Sequence, residues 1–77
     1  MENEENFYRV YGKGPKMGTY KAMDYNEGAF VGNLIYATIF TQEQAELLKT
    51  RLPRLAEINA GYKFQIRDMH NKVVFEV

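Results

Sequence analysis

The sequence predicts an α+β domain: a four- to five-stranded, mainly antiparallel sheet with one helix on one face, in the order β-β-β-α-β-β. Three observations predict it. Residues 34–40, Leu-Ile-Tyr-Ala-Thr-Ile-Phe, form an apolar run rich in β-formers, the pattern of an inner strand covered on both sides. Thr41 follows, with Gln44 three residues later, a capping-box opening for an amphipathic helix. After Asn59-Ala60-Gly61, residues 62–67 alternate cleanly between apolar and polar, as a half-buried strand does.

Taken in order, Phe7-Tyr8-Arg9-Val10-Tyr11 has the aromatic and β-branched content of a strand. Phe7, Arg9 and Tyr11 face one way, Tyr8 and Val10 the other. Gly12-Lys13-Gly14-Pro15-Lys16-Met17-Gly18 breaks the run. Residues 20–25 form a second strand, Asn26-Glu27-Gly28 a turn, and Ala29-Phe30-Val31 the returning arm of a hairpin. Gly32-Asn33 interrupts that arm as a bulge or bend before residues 34–40. In the helix, Ala45, Leu48, Leu52, Leu55 and Ala56 keep the three-four spacing of one buried stripe. Pro53 removes one backbone bond from it. Either one kinked helix runs over about 42–59, or Thr50 and Pro53 open a second short helix. Gly61 suits the left-handed position that ends a helix. Tyr62, Phe64 and Ile66 face a core, and Lys63, Gln65 and Arg67 face water or a partner. Residues 68–72 form a turn and 73–77 a last strand.

At 77 residues the chain makes one domain, 1–77, with an acidic, flexible tail over 1–6. A chain this short buries only about 60% of its unfolded surface, so its core is thin. Hydrophobic residues make up 45% and charged residues 26%, a globular mixture. Ten basic residues balance ten acidic ones, which argues against a dedicated duplex-DNA binder. There is no cysteine and no serine, so the common acyl-transfer nucleophiles are missing. The single histidine, His70, cannot build a multi-histidine metal site. No catalytic residue, cofactor or metal is expected. The acidic start lacks the apolar stretch of a signal peptide, and no run is long enough to span a membrane. A cytoplasmic, non-membrane protein is expected.

Each chemical motif competes with a plain structural reading. The glycine-rich stretch 12–18 lacks the Gly-Lys-Ser/Thr ending of a phosphate loop and precedes a strand instead of a helix. It reads as a connection whose Lys13, Lys16 and Lys21 are candidates for anion binding. Asp68 with His70, and Asp24 with Glu27, lie at turns, where turn chemistry accounts for them. Arg9, Lys13, Lys16 and Lys21 form one basic cluster, and Lys49, Arg51, Arg54, Lys63 and Arg67 a second. Near Tyr8, Tyr11, Tyr20 and Tyr62 they resemble a surface for single-stranded nucleic acid, where rings stack bases and cations hold phosphates. The anion or nucleic-acid candidates are Arg9, Lys13, Lys16, Lys21, Lys63 and Arg67. One helix covers one sheet face, so the second face is expected to meet another subunit or a partner. Tyr8, Tyr36, Thr38 and Phe40 are the candidates for that partner or dimer surface.

Residues 31–41, Val-Gly-Asn-Leu-Ile-Tyr-Ala-Thr-Ile-Phe-Thr, with Gln44-Ala45-Glu46 and residues 59–67, resemble short uncharacterised proteins of bacterial phages and mobile elements. The resemblance covers about half the chain and carries no catalytic motif. It implies a small accessory protein, of a kind that blocks a host defence system by occluding an effector or holding a signal. The expected function is a non-enzymatic binding protein acting on a host protein, with homo-oligomerisation. The alternative is a binder of a nucleotide signal or single-stranded nucleic acid through Lys, Arg and Tyr side chains.

Overall fold

A computed structural model describes residues 6–77; apart from Asn6, the acidic tail expected over 1–6 lies outside the described residues. The elements are strands β1 (Phe7–Lys13), β2 (Lys21–Asp24) and β3 (Ala29–Phe30), a 3-10 turn (Leu34–Tyr36), strand β4 (Phe40–Thr41), helix α1 (Gln42–Ile58), and strands β5 (Lys63–Asp68) and β6 (Val73–Glu76). Every strand pair is antiparallel. The sheet runs β3-β2-β1-β5-β6, with β4 also on β1. This is the expected α+β architecture, with six strands and one α-helix among the described residues.

The helix forms as its sequence prescribes. Thr41 Oγ1 accepts the backbone N–H of Gln44 at 3.2 Å, and Gln44 Oε1 accepts that of Thr41 at 2.8 Å. Two donors that a helix start would leave unpaired are thus satisfied together. α1 is a single helix with Pro53 inside it. Pro53 is solvent-exposed, while Leu52 beside it is fully buried. Thr50 caps nothing, and its hydroxyl donates back to the Leu47 carbonyl. Asn59 closes the C-terminus with both its backbone and side-chain N–H groups on the Leu55 carbonyl. Gly61 then turns the chain at φ +88.

α1 lays Ala45, Leu48 and Leu52 on Val10 of β1, Met23 of β2 and Phe64 and Ile66 of β5. Leu55, Ala56, Tyr8, Tyr25, Phe30 and Phe40 complete that side. The strand alternation therefore holds: even-numbered positions of β1 and β5 meet the helix, and odd-numbered ones lie on the opposite face. Gly12 shows how close the packing is. A β-carbon there would come within 2.9 Å of Met23 Sδ and 3.1 Å of the Phe30 ring.

Residues 34–40 depart from the expected strand. Asn33 Oδ1 accepts the Ile35 N–H at 3.1 Å, and the chain coils into the 3-10 turn, closed by Ala37 N–H on the Leu34 carbonyl. Only Phe40–Thr41 joins the sheet, against Tyr8 and Phe7. The reason is non-local. β2 pairs with β1 only at Tyr11 and Gly12. Where β2 parts from β1, Thr38 fills the gap: its N–H donates to the Met23 carbonyl, and its Oγ1 accepts the Tyr25 N–H at 2.9 Å. The apolar residues of the 3-10 turn are left outside, with Ile35 76% and Tyr36 66% exposed.

Candidate functional site

The face of the sheet opposite α1 carries four of the ten basic residues in paired positions. The register of β1 on β5 sets Arg9 opposite Arg67, Tyr11 opposite Gln65, and Lys13 opposite Lys63. Like charges directly opposite one another on adjacent strands repel, at a cost of several tenths of a kcal/mol to about 1 kcal/mol per pair. Two such pairs flank one tyrosine–glutamine pair. This face is polar and cationic along β1 and β5, and Tyr8 and Phe40, expected on it, lie on the helix side.

Tyr20, just before β2, crosses this face. Its hydroxyl donates to Glu76 Oε2 on β6 at 3.4 Å, and its ring centroid lies 5.2 Å from Lys13 Nζ and 5.6 Å from Arg67 Cζ. Partial burial, together with the Glu76 carboxylate beside it, raises the Tyr20 pKa above its ordinary value. Tyr11 is buried under the Arg67 guanidinium, whose Cζ lies 4.2 Å from the ring centroid. Ala22 and Ala37 pack on Tyr11 from the side, with Val31 and Tyr20 against them. The segment after β3 thus covers this face as far as Tyr11 of β1, while Arg9, Lys13 and Arg67 stay half-buried and Lys63 exposed.

Arg67 is held at several atoms. Its Nε donates to Gln65 Oε1 at 2.9 Å and its Nη1 to Asn71 Oδ1 at 3.0 Å. Gln65 is only 7% exposed and passes its own amide N–H to Glu76 Oε2 at 2.9 Å. Arg9 is held differently. It is half-buried, and its Nε is shielded from solvent without a hydrogen-bond acceptor among the described residues. Among the described residues the ion pair that forms is Lys49 with Glu46 on the helix, at 3.1 Å; it lies away from this face.

The sequence candidates divide accordingly. Arg9, Lys13, Lys63 and Arg67 come together. Lys16 lies in the exposed connection 14–18. Lys21 is opposite Gly12, and so belongs by alternation to the helix side at the sheet edge. Tyr8 and Phe40 also lie on the helix side, packed against the core, with the Phe40 ring edge-on to Tyr25 at 5.7 Å. Thr38 ties β2 to the following segment, and its hydroxyl also reaches Asp24 Oδ1 at 3.5 Å. Tyr36 stands out on the 3-10 turn beside exposed Leu34 and Ile35. Gln65, Asn71, Tyr20 and Glu76, which orient the cations, carried no separate signal in the sequence.

The remaining motifs have structural roles. Gly14 N–H donates to Met17 Sδ at 3.1 Å, and Met17 N–H to the Gly14 carbonyl. The glycine-rich connection closes on itself and packs on the Tyr62 ring. Asp68 Oδ1 accepts the backbone N–H groups of His70 and Lys72, each at 2.9 Å. These bonds lower the Asp68 pKa below its ordinary value, Lys72 N–H being the largest cause. Asp68 and His70 are thus joined through backbone and carboxylate, as turn chemistry requires. An apolar hollow of about 280 Å³ on the helix side is lined by Met23, Gly28, Phe30, Leu55, Asn59, Tyr62 and Phe64. No charged group lines it. Among the described residues no helix is long and apolar enough to cross a membrane, and no three His, Cys, Asp or Glu side chains are grouped to hold a metal ion. Compared with known protein families, with curated proteins and with solved structures, the chain matches none.

Proposed function

We propose that this is a non-enzymatic binding protein that holds a small anionic ligand, a nucleotide signal, on the sheet face opposite the helix. The observation that carries the reading is the pairing of Arg9 with Arg67 and Lys13 with Lys63 across β1 and β5. Four cations on two adjacent strands repel one another, and an anion lying between the strands relieves that repulsion. The tyrosines favour a small phosphorylated ligand over a stacked single strand. Tyr11 is buried under Arg67, Tyr8 is packed in the core, and Tyr20 is engaged by Lys13, Arg67 and Glu76. A stacking platform needs rings with an open face.

Titration with mononucleotides, cyclic nucleotides and labelled oligonucleotides at low salt tests this. Binding is expected to weaken steeply as salt rises, because phosphate contacts dominate it. A Lys13→Gln, Lys63→Gln double variant is expected to bind more weakly than the wild type. No interaction with any of these ligands at low salt refutes the reading.

A second reading has its own observation. Leu34, Ile35, Tyr36 and Ile39 are all exposed on and beside the 3-10 turn. A contiguous apolar projection of this kind suits a protein interface. It supports an inhibitor of phage or mobile-element origin that occludes a surface of a host defence protein, or a dimer. Here Ile35→Glu is expected to abolish capture of a partner from a bacterial lysate and to leave nucleotide titrations unchanged. A monomer that repeatedly captures nothing counts against this second reading.

A further inference from the structure

We propose that Arg9 and Arg67 form a clamp for one phosphoryl group; this rests on the anion-binding reading above and names the group that the face grips. The strands place the two residues directly opposite each other, about 5 Å apart at Cβ. No carboxylate among the described residues forms an ion pair with either. The two arms are prepared differently. Arg67 is pre-set: Gln65 Oε1 takes its Nε, Asn71 Oδ1 takes Nη1, and Tyr11 lies beneath the guanidinium. Its Nη2 has no partner among the described residues and is left for a ligand. Arg9 has an Nε shut off from solvent and without an acceptor among the described residues. Such a donor is held at a cost, and turning to meet an oxyanion removes it.

The chemistry of two guanidiniums on adjacent strands selects the ligand. A carboxylate offers two oxygens in one plane, which one guanidinium satisfies. A phosphoryl group offers three terminal oxygens in a tetrahedral array, so the Arg9 fork can take two of them and Arg67 Nη2 the third. A terminal phosphate carries about −1.5 to −2 charges at neutral pH, which balances the two arginines. A diester, with one charge and two free oxygens, satisfies the clamp less well. The expected preference is for a phosphate monoester over a cyclic diester, and for either over the unphosphorylated nucleoside. Glu76 lies across Gln65 from Arg67 and opposes the ligand.

Calorimetric titration of the full chain at low salt with adenosine, adenosine 5′-monophosphate, a cyclic adenosine monophosphate and inorganic phosphate tests the clamp. The monophosphate is expected to bind best, inorganic phosphate to compete with it, and adenosine not to bind. Arg9→Lys and Arg67→Lys keep the charge and lose the planar guanidinium; each is expected to weaken binding about tenfold or more. Glu76→Gln is expected to tighten it. Arg9→Lys leaves the Gln65–Arg67–Asn71 contacts in place, so it reads the clamp independently of any folding defect in the Arg67 variant. If both lysine variants bind like the wild type while Lys13→Gln and Lys63→Gln weaken binding, the clamp is wrong and the anion-binding face stands. If none of the ligands binds the wild type, both fall.

Discussion

Arg67 is expected to be energetically coupled to Gln65, and a double-mutant cycle measures that coupling. Replacing Arg67 by Met leaves the Gln65 Oε1, on a residue only 7% exposed, without its donor. An unsatisfied buried acceptor costs about 1–3 kcal/mol. Losing the cation over Tyr11 costs a further 0.5–2 kcal/mol or so. Two effects run the other way: repulsion from Arg9 disappears, about 0.2–1 kcal/mol, and the methionine sulfur still covers the ring, worth roughly 0.3–1.5 kcal/mol. The net expectation is a loss of about 1–3 kcal/mol. Gln65→Leu strands the Arg67 Nε and removes a donor from Glu76, a loss of similar size. In the double variant neither partner remains to be stranded, so the combined loss should fall short of the sum by about 1–2 kcal/mol. Urea unfolding followed by circular dichroism reads all four corners of the cycle, with an unchanged m value confirming a common unfolding reaction. Additivity within about 0.5 kcal/mol would refute the reasoning. Arg67 would then be a free surface side chain, and the pre-set arm of the clamp would go with it.

Leu52→Ala, at a fully buried position under the sheet, is expected to cost about 2–5 kcal/mol. Against a total of about 4–12 kcal/mol for 77 residues, a chain that keeps its wild-type urea midpoint would show that α1 does not pack as described. Thr41→Ala removes the side-chain half of the capping box, a loss of about 1 kcal/mol. That lowers the melting temperature by roughly 4–8 °C, measurable by thermal denaturation at 222 nm. Asp68 governs part of the acid limb. Its pKa is lower folded than unfolded, so its stabilisation is present above the ordinary value of 3.8 and is lost as pH falls through the folded value. Asp68→Asn should flatten the fall in melting temperature below about pH 4; a variant with the wild-type acid slope would contradict the role of the Lys72 and His70 amides.

Local patterns carried most of the fold. The capping pair Thr41 and Gln44, the stripe through Ala45, Leu48 and Leu52, and the alternation in β1 and β5 are periodic over short stretches, and each residue lies where its spacing puts it. Residues 34–40 failed for the opposite reason. A run apolar on both sides fits an inner strand or a projecting segment equally well, and the choice depends on β2 leaving β1 at Ala22, which no local pattern records. Asn33, two residues before Ile35, was the available sign of a turn. The site was half legible. Arg9 and Arg67 stood in strands of known alternation, but their juxtaposition depends on a register across the whole helix between them. The same register separates Lys21 from Lys13, eight residues apart in sequence and assigned to opposite faces.

The uncovered face also explains how a chain with no net charge carries a cationic surface. One helix on a sheet leaves the other side to water, and an apolar side would invite aggregation. Here that side is built from long polar residues: Tyr20 reaching Glu76, Gln65 joining Glu76 to Arg67, and Arg67 covering Tyr11. Each bond satisfies a polar group that the sheet would otherwise leave half-buried. Solubility alone would be served by cations and carboxylates interspersed along both strands, which adds favourable cross-strand pairs. The chain instead sets cation against cation twice on β1 and β5. Solvation does not require that choice, and the proposed anionic ligand would account for it.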